Sequence, residues 1–115
     1  MTVTERKVGD VTIVDVAGKM MASDSSGRLK DKITSLMFQG EKRIVLNLAD
    51  VSYVDSSGLG EMVACYGSVT RGGGELKLAS AGNKIRDLLI MTRLVTIFDA
   101  HDSEDEAIKS FSQKK

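Results

Sequence analysis

Hydrophobic and polar residues alternate from Thr2 to Val8 and again from Val11 to Val16 (VTIVDV), the period of a strand with two unlike faces. Gly9-Asp10 between them is a two-residue turn signal, so the chain opens with a hairpin whose second strand Gly18 ends. From Ser26 to about Gln39 the period changes. Leu29, Ile33, Leu36 and Met37 fall on one helical face, and Gly40 supplies a C-cap. Ile44 to Leu48 (IVLNL) is short and almost continuously apolar, which suits a central strand covered on both faces. A second helical face runs from Ser57 to Thr70 through Leu59, Met62, Val63, Tyr66 and Val69, and Gly72-Gly73-Gly74 stops it.

Leu76 to Ala79 (LKLA) predicts a further strand. Asn83 to about Met91 predicts a third helix carrying Ile85, Leu88 and Leu89, and Val95 to Phe98 a short edge strand. Ser103 with Glu106 three residues on is a capping box, opening a last helix with Ala107, Ile108 and Phe111 inward. Strands alternating with helices after a hairpin imply an α/β fold: a mixed, mostly parallel sheet of four to five strands with about four helices. Right-handed crossovers put consecutive helices on one face, so helices are expected to cover the sheet from one side. No repeat or linker divides residues 1–115, which are read as a single domain.

Charge and composition narrow the function classes. Sixteen basic residues balance sixteen acidic ones, without the basic excess usual in nucleic-acid binders. Tryptophan is absent and aromatics are 4% of residues, too few for a base-stacking platform. One cysteine, Cys65, allows neither an intrachain disulfide nor a thiolate zinc cluster, and it is expected to be a structural thiol. No apolar run approaches a membrane span, so the expected compartment is the cytoplasm. Neither a P-loop nor a calcium-loop pattern occurs, and no cofactor or metal is expected.

The stretch LNLADVSYVDSSGLG is the most informative. An apolar strand leads to Asp55-Ser56-Ser57-Gly58, where a helix begins. Asp and Ser are strong N-cap residues, because their side-chain oxygens accept from first-turn N–H groups, and a plain cap explains the tetrapeptide. The same amides, with the positive end of the helix dipole, also make an anion site. A hydroxyl there can carry a phosphate that its own helix tolerates, and Gly58 and Gly60 keep bulk low so that another protein approaches Ser56 closely.

The motif VDSSGLG after an apolar strand resembles the STAS domains of bacterial anti-sigma factor antagonists. The likeness extends to the opening hairpin, the Gly18 turn, IVLNL and the segment GGGELKLA. The resemblance implies that Ser56, directly after the motif's aspartate, is phosphorylated by a partner that is both anti-sigma factor and serine-protein kinase. Unmodified protein would capture that partner; the phosphorylated form would not until a serine phosphatase of the PP2C type reset it. Asp55 is implied to orient the loop and contact the partner, and Ser57, Gly58 and Leu59 to complete the contact. A monomer or weak dimer is expected, regulating transcription through protein binding alone.

The same four letters recur at Asp24-Ser25-Ser26-Gly27, where an N-cap for the first helix is sufficient reason. The preceding loop often forms part of the binding face in these antagonists and commonly begins Gly-x-Leu-Asp. Here it reads Gly18-Lys19-Met20-Met21, with an apolar residue in place of the acid, for which Asp24 is a substitute. Met20 and Met21 are either exposed partner contacts or partly buried. Two other jobs stay open: a STAS scaffold or regulatory partner in a signalling complex or transport system, and a small hydrolase using Ser56, Asp55 and His101. The second lacks any G-x-S-x-G elbow.

Overall fold

The computed structural model describes residues 2–21 and 28–112, so Asp24 and the earlier Asp-Ser-Ser-Gly lie outside the described residues. The elements are β1 (Thr2–Val8), β2 (Val11–Met20), α1 (Arg28–Phe38), β3 (Arg43–Val54) and α2 (Ser56–Arg71). They continue as β4 (Glu75–Ala79), α3 (Asn83–Met91), a 3-10 turn (Leu94–Thr96), β5 (Asp99–His101) and α4 (Glu104–Ser112). The five strands lie in the order β1-β2-β3-β4-β5, with β1 and β2 antiparallel and every later pair parallel. Four helices and a mixed five-stranded sheet among the described residues are thus the α/β architecture that the hydrophobic pattern predicts.

Each parallel step moves the same way across the sheet, so crossovers of one hand place α1, α2 and α3 on a common face. Their apolar residues Leu29, Ile33, Leu36, Met62, Cys65, Val69 and Leu89 pack on Val14, Ile44, Leu46, Leu48 and Leu78. The other face is not left open, which corrects the one-sided expectation. Ala107 and Phe111 of α4 pack there on Val11, Ile13, Val45 and Ala79. The last helix follows the last strand and crosses to no further one, so no handedness rule holds it to the first face. Arg6 helps pin it, donating to Asp15 at 2.6 Å on β2 and to Glu104 at 2.6 Å on α4. Ser103 caps it, accepting from the Glu106 amide at 3.2 Å.

Three element boundaries differ from the sequence pattern. Gly18 does not end β2: it sits at φ 96°, paired with Val51, between register shifts on either side. A glycine at a bulge lets the strand bend and run on to Met20. β3 is longer than IVLNL, since Ala49, Asp50, Ser52 and Tyr53 are exposed strand residues whose polarity resembles a loop's. The edge strand is also displaced. Val95 belongs to the 3-10 turn, Phe98 is buried edge-on to Tyr66 with ring centroids 5.5 Å apart, and the pairing begins only at Asp99.

Candidate functional site

β3 positions the site by outrunning its neighbour. Residues 44–47 are paired with β2 on one side and with β4 on the other. β4 stops at Ala79, and Ser80 turns the chain away at φ 60°. Among the described residues, the strand from Asp50 to Val54 pairs only with Ala17 to Met20 of β2, and Asn47 Oδ1 accepts the Ala49 amide at 3.2 Å. The overhang, with the end of β2 beside it, carries Asp55 well beyond β4.

There α2 begins. Asp55 is the N-cap in extended conformation, and its Oδ1 accepts the Gly58 amide at 2.8 Å. Its own amide donates to the Met20 carbonyl at 3.1 Å, fastening the loop to the end of β2. Ser56 and Ser57 are therefore the first two helical residues, and both are exposed. The helix starts one residue earlier than the periodicity indicates, with Asp55 as its cap and the Ser56 hydroxyl free of that task. No acidic residue occupies the first turn of α2, so the positive end of its dipole is uncompensated apart from the Asp55 cap.

Gly58 and Leu59 face the other way. A Cβ on Gly58 would lie 2.1 Å from the Met20 carbonyl oxygen and 2.8 Å from Met20 Cβ, a collision with backbone. Glycine is required here because helix and strand end touch. Leu59 is 6% exposed and part of the core. Gly60, by contrast, has open space around its Cα, so it does leave room beside Ser56. Met20 is fully buried and Met21 half-buried. Met20 is the site residue that sequence reasoning leaves undefined; the one signal for its role is the glycine at 58 that it makes necessary.

The remaining chemistry lies elsewhere. Cys65 is buried in α2, and desolvation pushes its thiol up to about 12, so no thiolate nucleophile is present near neutral pH. His101 Nε2 is 3.1 Å from Asp99 Oδ1, out of line for a hydrogen bond. Asn47, Ala79 and His101 share one level of the sheet, from which β3 runs roughly 20 Å further to reach Val54 at about 3.3 Å per residue. Ser56, Asp55 and His101 are therefore not brought together as a triad. Among the described residues no cluster of three His, Cys, Asp or Glu side chains is placed to hold a metal, and no helix is long and apolar enough to cross a membrane.

The model of the STAS domain family matches residues 2–107. The chain belongs to the STAS domain family. Among curated relatives, the anti-sigma-B factor antagonist of Bacillus subtilis is 38% identical over 87 residues, 75% of this chain and 77% of its own length. Among solved structures, a putative anti-sigma factor antagonist from Thermotoga maritima is 26% identical with TM-score 0.78, covering 94% of this chain and 92% of its own. The phosphorylated form of the Bacillus cell fate determinant SpoIIAA shares the fold at 20% identity and TM-score 0.72, covering 96% and 99%. Within this STAS domain the Asp55–Ser57 turn stands at the exposed end of the longest strand.

Proposed function

We propose that this STAS protein is an anti-sigma factor antagonist whose capture of an anti-sigma factor with serine-kinase activity is switched off by phosphate on Ser56. The observation that carries the reading is the placement of Ser56: exposed, first in α2, one residue past a cap that already satisfies the Gly58 amide. A phosphoryl group there meets the amides of the first turn, which holds no acid of its own, with the Asp55 carboxylate at the cap beside it. The names of its relatives support the same role.

Magnitudes decide the direction of the switch. Phosphorylation adds about −1.5 to −2 charge. Its attraction to the helix end is worth about 0.3–1 kcal/mol at an exposed site. Burying that dianion against a partner shaped for a neutral hydroxyl costs several kcal/mol. Repulsion wins. The exposed Ser57, together with Asp55, Met21 and Asp24, completes the contact in this reading, while Gly58 and Leu59 serve it from behind by fixing the turn. The protein acts as substrate and ligand, not as catalyst, and a PP2C-type phosphatase restores binding.

Incubation with ATP and an anti-sigma factor serine kinase that binds the unmodified protein, followed by mass mapping, tests the proposal. One phosphate on Ser56 is expected. Modification at Ser57 or another serine instead, or none at all, would overturn it.

A further inference from the structure

β3 beyond Asn47 has one edge on β2 and another that no described residue pairs with. In a strand, alternate residues turn their N–H and C=O toward opposite neighbours, so part of the backbone from 50 to 54 is left with unpaired donors and acceptors. Open edges of this kind are normally blunted by proline, lysine or a covering element. The overhang has neither proline nor lysine. Two bulges interrupt it, one opposite Val16 where it begins and one at Ser52, and the backbone of 53–54 beyond them keeps its open side.

The edge also borders a cavity. Between residues 51–54 and the first turns of α3 lies a space of roughly 380 Å³. Val51, Tyr53 and Val54 form one wall, and Ile85 and Leu88 the other, with Lys84 at the start of the helix. Lys84 is the one charge among these lining residues and pairs with no described residue. Gly82 caps α3 without a side chain, so the amides that open the helix add to the positive character of that end.

We propose that this groove is a strand-addition site: an extended segment of a partner protein pairs with the open edge of β3 and reads it by alternate side chains. Strand addition needs an unpaired edge for main-chain hydrogen bonds and adjoining pockets for every second side chain. Both are present, and the lining specifies the occupant. Apolar side chains enter between Val51, Val54, Ile85 and Leu88, and a carboxylate of the segment faces Lys84. Because Val54 leads directly to Asp55 and Ser56, a segment seated here holds its protein against the site of the proposed switch. The inference names the docking mode of that partner and rests on the proposed reading only for the partner's identity.

The test titrates the isotopically labelled full chain with a synthetic probe, acetyl-Val-Thr-Val-Thr-Val-Glu-amide. Two controls are its Lys-for-Glu analogue and an analogue N-methylated at alternate residues. Strand addition predicts resonance shifts confined to residues 50–54 and 82–88, with alternate amides of the overhang exchanging about tenfold more slowly. N-methylation is expected to weaken binding about tenfold, and Lys84→Glu to reverse the preference for the acidic probe over the basic one. Shifts elsewhere, none up to millimolar probe, or equal binding of the N-methylated probe would overturn the proposal. Overhang shifts that follow protein concentration without probe would give the edge to a second copy and overturn it as well. None of these readouts involves Ser56, so a failed titration leaves the phosphate switch standing, and an unphosphorylated Ser56 leaves the groove standing.

Discussion

The two halves of β3 lie in opposite circumstances although they are one strand. Residues 44–47 have strands on both edges, helices on both faces, and Ile44, Val45 and Leu46 fully buried. Residues 48–54 have one strand neighbour, and among them Tyr53 is 50% exposed. The first half supplies stability that any α/β core requires. The second half buries Leu48 and Val54 but exposes Ala49, Asp50, Ser52 and Tyr53, and it holds a short turn at an accessible end of the sheet. Rigidity at the root and exposure at the tip are what the docking role proposed for Ser56 requires.

Substitutions in the two halves sharpen the contrast. Leu46→Ala removes a fully buried side chain between sheet and helices and is expected to cost about 2–5 kcal/mol. Tyr53→Ser in the overhang is expected to stay within about 0.5 kcal/mol. Urea midpoints at constant slope measure both. Comparable losses at the two positions would show that the halves are not energetically distinct.

Gly58→Ala comes next. Its new methyl group must displace the Met20 backbone, at a cost of about 1–3 kcal/mol. Since Met20 also receives the Asp55 amide, the substitution shifts the turn as well as loosening the fold. Amide resonances of Asp55 and Ser56 should therefore move, and a spectrum unchanged there would mean that helix and strand end are not in contact. Asp55→Ala removes the cap bond to the Gly58 amide and should cost about 1 kcal/mol, read from the same urea curves. A loss well below that would leave the cap without a structural role.

Where the sequence failed to show these features, the reason is physical. The inward faces of α1, α2 and α4 are legible because burial enforces a 3.6-residue period on Leu29, Ile33 and Leu36 and on Leu59, Met62 and Val69. The overhang is not legible, because a strand with one open edge keeps polar residues such as Asp50 and Ser52 and so looks like a loop. Gly18 looks like a stop, but its positive φ lies within β2, where the strand passes two bulges of β3. β5 contains only Asp99, Ala100 and His101 and is defined by pairing with β4, which no local pattern reveals. At the site, Asp55 as a cap and Ser56 as an exposed residue follow from the motif itself. The need for glycine at 58 does not, since the atom that excludes a side chain belongs to Met20, far away in the chain.

The central claim is that a dianion on one exposed hydroxyl defeats docking, and the affinity of the kinase partner for unmodified and Ser56-phosphorylated protein measures it directly. A penalty of about 3 kcal/mol predicts binding weakened more than about a hundredfold. Equal affinity for the two forms would contradict the account.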